Sequence, residues 1–353
     1  MKLIAYYLPQ FHRIPENDRW WGEGFTEWTN TNKAKPLFTG HYQPRIPYQE
    51  NYYDLTDPQI REWQAKLAKT YGIYGFCYYH YWFKGKKLLE KPFEQVLYSK
   101  KPDFPFCLSW ANEPWSRRWN GANNDVLMPQ DYGEKKDWDE HFNYLLTAFK
   151  DRRYIKINGK PLFIIYRPLS IPQCSKMLRY WQLLARKNGF NGIFFVETLN
   201  GFHPLKHIDG FDASIEFEPH YTNAHKRYIN PRLKNIGKDK GLCVLSYDKI
   251  WRSILRRTSI RPKKKIFPGA FVDWDNTARR GKEALIFYGS TPQKFTSYLT
   301  IQIQNAKKFY NSEFLFINAW NEWAEGAYLE PDQKFHYQYL EGVKQALKNN
   351  GYF

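Results

Sequence analysis

The chain has little sulfur: three Met and four Cys in 353 residues. Cys77, Cys107, Cys174 and Cys243 are scattered and form no Cys-x-x-Cys pair. That spacing argues against a disulfide framework or a cysteine zinc site and suggests reduced thiols in a cytosolic protein. Long apolar runs are also missing. The most apolar segment, Ile73 to Phe83, is too short to span a bilayer and carries His80. The opening Lys2-Leu3-Ile4-Ala5-Tyr6-Tyr7 has no basic head or small-residue cleavage site, so no signal peptide is expected and the expected location is cytoplasmic. No Gly-rich turn follows an apolar run, which argues against a dinucleotide or P-loop sheet. No Asp-x-Asp stands beside a nucleotide-sugar domain, and no Gly-x-Ser-x-Gly elbow is present. His203 and His207 have helical spacing, but no Glu follows His203 as a metalloprotease would require. The expectation is therefore no metal, no cofactor and no nucleic-acid motif.

Aromatic side chains are abundant: 14 Trp, 27 Tyr and 26 Phe, or 19% of the chain. Such a composition excludes a disordered chain, and the length suffices for a sizeable core. Apolar runs alternate with helix-like segments. Strands are predicted at Leu3–Leu8, Ile73–Tyr79, Phe104–Trp110, Leu162–Tyr166, Gly192–Val196, Ala213–Phe217, Phe267–Val272 and Phe314–Ile317. Asp57-Pro58 opens a helix whose Ile60, Trp63, Leu67 and Ala68 share one face. Further helices are expected at 92–98, 138–149, 177–187, 292–309 and 337–347. Eight strand-then-helix units predict an α/β fold, a (β/α)8 barrel with long βα loops, as one domain spanning 1–353.

A barrel of this kind places its site at the strand C-termini. Glu113, Arg167, Glu197, Glu218, Asp273, Asp275, Glu322 and Glu325 all fall at or just after such ends. Ten tryptophans sit in or beside the same loops: Trp20, Trp21, Trp28, Trp82, Trp110, Trp115, Trp119, Trp274, Trp320 and Trp323. Flat rings alternating with carboxylates suit a sugar, whose apolar face packs on an aromatic ring while polar side chains take its hydroxyls. The expected ligand is an oligo- or polysaccharide. Candidate contacts are Tyr7, Gln10, His12, Trp21, Glu27, Trp28, His80, Trp110, Asn112, Glu113, Trp115, Arg167, Glu197, Glu218, Asp273, Trp320 and Asn321; His220 lies near a strand end too. Within 313–332, Glu322 and Glu325 follow a buried strand and stand between indoles. Burial raises a carboxyl pKa and a second acid nearby separates the two values, which supplies a proton donor and an acceptor at neutral pH. Glu322 and Glu325 are therefore the candidate catalytic residues.

Five motifs in order carry a resemblance: Tyr6-Tyr7-Leu8-Pro9-Gln10-Phe11-His12, Trp20-Trp21-Gly22-Glu23-Gly24-Phe25-Thr26-Glu27-Trp28, Gly75-Phe76-Cys77-Tyr78-Tyr79-His80-Tyr81-Trp82, Trp110-Ala111-Asn112-Glu113 and Trp320-Asn321-Glu322-Trp323-Ala324-Glu325-Gly326. Together they resemble the WbsX-like proteins of bacterial O-antigen and capsule gene clusters, a group similar to glycoside hydrolase family 99. The resemblance implies a metal-free (β/α)8 barrel acting on a glycosidic bond with retention. By family 99 analogy, Glu322 matches the residue that deprotonates the sugar 2-hydroxyl for attack on the anomeric carbon. Glu325 matches the general acid and base. Three functions follow as expectations: a WbsX-like glycosyltransferase of surface polysaccharide biosynthesis, an endo-α-mannosidase-like hydrolase, or a glycan-binding barrel without catalysis. Transfer and hydrolysis share these residues and differ only in the acceptor.

Charge is uneven. The net +18 is concentrated in residues 226–265, where 14 Lys or Arg face Asp239 and Asp248. Tyr247, Ile250, Trp251, Ile254 and Leu255 recur there at helical spacing, flanked by Lys249, Arg252, Arg256 and Arg257. This pattern predicts either a basic amphipathic helix on the inner face of an anionic membrane, near a lipid-linked substrate, or an outer helix of the barrel. In both cases Arg256, Arg257 and Lys263 to Lys265 are expected to be exposed.

Overall fold

The computed structural model describes residues 1–117, 125–201, 208–225 and 242–353. Trp119, His203, His207 and the first sixteen residues of the basic segment lie outside the described residues. The principal sheet contains nine parallel strands: β1 (Lys2–Tyr7), β2 (Ile73–Phe83), β3 (Phe106–Trp110), β4 (Lys160–Ile165), β5 (Phe194–Leu199), β6 (Ala213–Glu216), β7 (Ile266–Phe267), β8 (Gly269–Phe271) and β9 (Phe314–Asn318). They pair in the order 7-6-5-4-3-2-1-9-8. Pro268 alone separates β7 from β8, and proline has no amide hydrogen for a ladder. One strand broken at that proline thus pairs with β6 through its first half and with β9 through its second. The circuit closes there into a (β/α)8 barrel. Closure is tight: a Cβ on Gly269 would lie 1.8 Å from the Glu216 carbonyl oxygen, so only glycine fits.

The strands are almost continuously buried, as the apolar runs require of strands covered on both faces. Around them pack α1 (Pro58–Thr70), α2 (Lys91–Ser99), α3 (Lys135–Phe149), α4 (Cys174–Lys187), α5 (Tyr247–Thr258), α6 (Pro292–Lys308) and α7 (Gln338–Lys348). Asp57 caps α1 by accepting from the Gln59 amide at 2.8 Å, with Pro58 in the first turn. The expected eight strand-then-helix units are incomplete, because no helix follows β5 among the described residues. A parallel pair outside the barrel, Cys243–Ser246 with Leu285–Tyr288, was not predicted. It builds a small core of its own with Leu37 and Phe38.

The apolar face of α5 is turned to the barrel. Tyr247, Ile250, Trp251 and Ile254 are buried, and the Trp251 ring stacks on Phe271 at 5.2 Å. This helix therefore presents no apolar stripe to a membrane. Arg257 is also inside, against the expectation of exposure: it ion-pairs with Glu216 and with Glu218 at 2.5 Å. Two buried carboxylates on β6 and just after it need a cation, and α5 supplies it.

Candidate active site

At the C-terminal end of the barrel a cavity of about 380 Å³ opens. Its floor and walls bring together Gln10, Trp21, Glu113, Trp115, Arg167, Glu322 and Glu325 from the expected set. The sequence reading missed Tyr79, Tyr81, Tyr166, Phe217 and Arg279, which share the lining with His220 and Trp274. Tyr79 and Tyr81 alternate with His80 and Trp82 along β2, so period two alone sends one pair inward and the other outward. His220 stacks on Phe217 and meets Trp274 edge-on at 4.1 Å, and burial lowers its pKa to about 4, leaving it neutral.

The acids of the Asn-Glu-Trp-Ala-Glu-Gly stretch occupy a tight reversal after β9. Asn321 and Glu322 pair with Tyr328 and Ala327, and Trp323–Glu325 make one 3-10 turn that Gly326 ends at φ 63°. Asp275 backbone atoms approach within 3.1 Å of a Cβ placed there, so this left-handed position takes glycine. Arg279, from the short helix Thr277–Arg280, reaches across: Nη1 donates to Glu325 Oε1 at 2.5 Å and Nη2 to Glu322 Oε2 at 3.1 Å. Its Nε donates to Glu27 Oε1 at 2.8 Å. Three carboxylates thus share one buried guanidinium. Burial pushes the Glu322 pKa up to about 8, reinforced by Glu325 and opposed by Arg279. Burial raises Glu325 as well, with Arg279 opposing and Glu27 reinforcing the shift. As a unit the pair holds a proton near neutral pH.

Several expected contacts serve the scaffold instead. Trp320 is fully buried; its Nε1 donates to Glu330 Oε1 at 3.0 Å, and Trp323 Nε1 donates to Glu330 Oε2 at 2.7 Å. Tyr53 and Gln64 complete four donors around that carboxylate, whose pKa burial still holds up at about 7. Glu330 escaped the sequence reading because no motif marks it. Trp28 packs on Phe11 and Trp323 with Nε1 on the Tyr53 carbonyl, and buried Trp110 gives Nε1 to the Trp82 carbonyl. Asn321 exchanges two hydrogen bonds with the Leu8 backbone, and Asn112 does the same with Arg167. Both asparagines fasten the mouth loops to a neighbouring strand end.

The remaining members also point away from the cavity. Tyr7 donates to Gln64 at 2.7 Å. His12 is buried with Nδ1 on the Pro9 carbonyl. His80 meets His141 of α3 at 2.8 Å, and burial lowers both pKa values, so the two neutral rings share one proton as donor and acceptor. Glu197 lies inside β5, two residues before its end, and accepts from Ser214. Glu218 is taken by Arg257 and Thr222, Asp273 by Arg45, and Asp275 by His41 and Gln43. Glu27 stands behind Arg279, outside the lining.

A closed barrel whose mouth sets carboxylates beside aromatic rings offers the side chains that a sugar site uses. The chain belongs to the glycosyltransferase WbsX family, whose model matches residues 3–343. It is 38% identical over 98% of its length to WxcX, an uncharacterized protein of Xanthomonas campestris pv. campestris. The chain spans about half the length of that relative, 49%. Among solved structures, the GH99 endo-α-mannosidase of Bacteroides thetaiotaomicron superposes with a TM-score of 0.60 at 13% identity, over 99% of this chain and 98% of that one. A glycoside hydrolase-like protein gives 0.62 at 14% identity, over 98% and 93%. These two likenesses establish the fold.

Proposed function

We propose that this chain transfers a glycosyl unit within a surface polysaccharide pathway, with retention, through Glu322 and Glu325. In the productive form the proton held by the pair sits on Glu325: ionised Glu322 takes the proton of the sugar 2-hydroxyl, whose oxygen attacks the anomeric carbon as Glu325 protonates the departing oxygen. Glu325 then removes the proton of the incoming hydroxyl as its oxygen attacks the anomeric carbon; the bond from that carbon to the 2-oxygen breaks and Glu322 returns its proton to the 2-oxygen. The observation that carries this reading is the buried carboxyl pair on the two terminal nitrogens of Arg279, raised in pKa at the mouth of the cavity. One guanidinium bonded to both carboxyls holds them as neighbours in the cavity wall. Gln10 and Arg167 offer donors for hydroxyls, and Trp21 and Trp115, half-buried in the lining, offer ring faces.

Hydrolysis is the second reading, favoured by the endo-α-mannosidase fold. A lipid-linked acceptor and a cytoplasmic site of action belong to the first. A glycan array, followed by incubation of each bound glycan with the enzyme, separates the readings. Extended products mean transfer, released fragments mean hydrolysis, and the anomeric configuration of the first product reports retention. Inverted product, or unchanged turnover in Glu325→Gln, overturns the proposed mechanism.

A further inference from the structure

The opposite end of the barrel carries a different chemistry. Helices return from the mouth to the strand N-termini, so the C-terminal ends of α5, α6 and α7 lie at the base. They are neighbours there, because α6 packs on both α5 and α7. Exposed at these ends, and in the loop entering β7, are Arg256, Arg261, Lys263, Lys264, Lys307 and Lys308. Ile260 stands among them with 67% of its surface exposed. Among the described residues the acids on this rim are fewer: Asp209, Asp212 and Glu313, of which Glu313 is engaged by Lys2 at 2.9 Å.

Lysines in the last turn of a helix complement its dipole, which accounts for Lys307 and Lys308. It does not account for Arg261 and Lys263, which lie beyond the end of α5. Like charges gathered on one face attract an anionic surface.

We infer that this basic rim docks the barrel, base down and mouth outward, on an anionic phospholipid surface. The exposed Ile260 among these cations favours a bilayer over a nucleic acid, because it suits the boundary between headgroups and acyl chains and has no counterpart on a phosphate backbone. The contact therefore belongs to the base of the fold and not to an inserted amphipathic helix. Its consequence for substrate is geometric: the mouth is held one barrel height from the bilayer, where it meets the distal part of a membrane-borne glycan. The inference does not depend on the Glu322 and Glu325 assignment.

The test is sedimentation of the full chain with phosphatidylglycerol vesicles, phosphatidylcholine vesicles and duplex DNA in parallel. Binding to phosphatidylglycerol alone, weakened by salt, is expected. The combined variant Arg256→Glu, Arg261→Glu, Lys263→Glu, Lys264→Glu should reduce that binding at least about tenfold. Ile260→Ser should weaken it while leaving its salt dependence intact. Both variants should keep wild-type circular dichroism and wild-type turnover of a soluble glycan, since every changed residue is exposed at the far end from the cavity. Sedimentation unchanged by the four reversals overturns the inference. Equal binding to both vesicle types, no binding to either, or DNA binding as tight as vesicle binding does so as well.

Discussion

Glu27 and Arg279 are 252 positions apart and meet at 2.8 Å through Oε1 and Nε. Glu27 is fully buried, and the contact fixes the plane of the guanidinium. The two terminal nitrogens then point at Glu322 and Glu325. This gives the Gly-Phe-Thr-Glu-Trp motif of the first loop a role in the site without touching the cavity: it orients the cation that the acid pair shares.

Arg279→Gln should leave three buried carboxylates without their counter-charge. A destabilisation of about 3–5 kcal/mol is expected for such a loss. In the folded fraction, the pH–rate profile should move to higher pH, since the cation now lowers both Glu322 and Glu325. Glu27→Gln should shift the profile in the opposite direction, because Glu27 raises both. Profiles that coincide with wild type would remove Arg279 from the proposed chemistry.

Glu325→Gln should lower turnover by about 10²–10⁴-fold on a natural glycan, the contribution expected of general acid–base catalysis. The loss should be smallest with an activated leaving group, which departs without a proton. Steady-state rates on both substrate types check this.

Stability should depend on pH through Glu322. Its folded pKa of about 8 lies above the ordinary value of 4.5, so the folded state holds the extra proton between those limits. Stability is then fully present below about pH 4.5 and declines as pH rises towards 8. Glu322→Gln cannot lose that proton, so its thermal midpoint relative to wild type should climb between pH 5 and pH 8. A constant difference across that window, measured by scanning calorimetry, would contradict the shift.

The tryptophans should divide into two groups. Trp320→Ala removes a fully buried indole that holds Glu330 and should cost about 3–5 kcal/mol. Trp21→Ala and Trp115→Ala remove half-buried rings of the cavity wall. They should weaken glycan binding while moving the denaturation midpoint far less. Calorimetric titration alongside denaturant unfolding tells the groups apart.

The barrel was legible in the sequence because a strand covered on both faces must be apolar throughout. Short runs such as Phe314–Ile317 can hardly be anything else once helix-length segments separate them. The ends of those runs located the mouth, and hence Glu322 and Glu325, since the barrel fixes which ends of its strands converge. What each polar or aromatic side chain meets there was decided by tertiary structure. Trp320 and Trp21 read alike as loop indoles, yet one is sealed under Glu330 and the other lines the cavity. Glu218 and Asp273 follow strands as Glu322 does, but Arg257 and Arg45 claim them from distant segments. Local pattern records whether a residue faces the core or the solvent at its own position. It carries no record of a partner brought alongside from elsewhere in the chain, and Arg279 becomes the cation of this site only when the barrel closes.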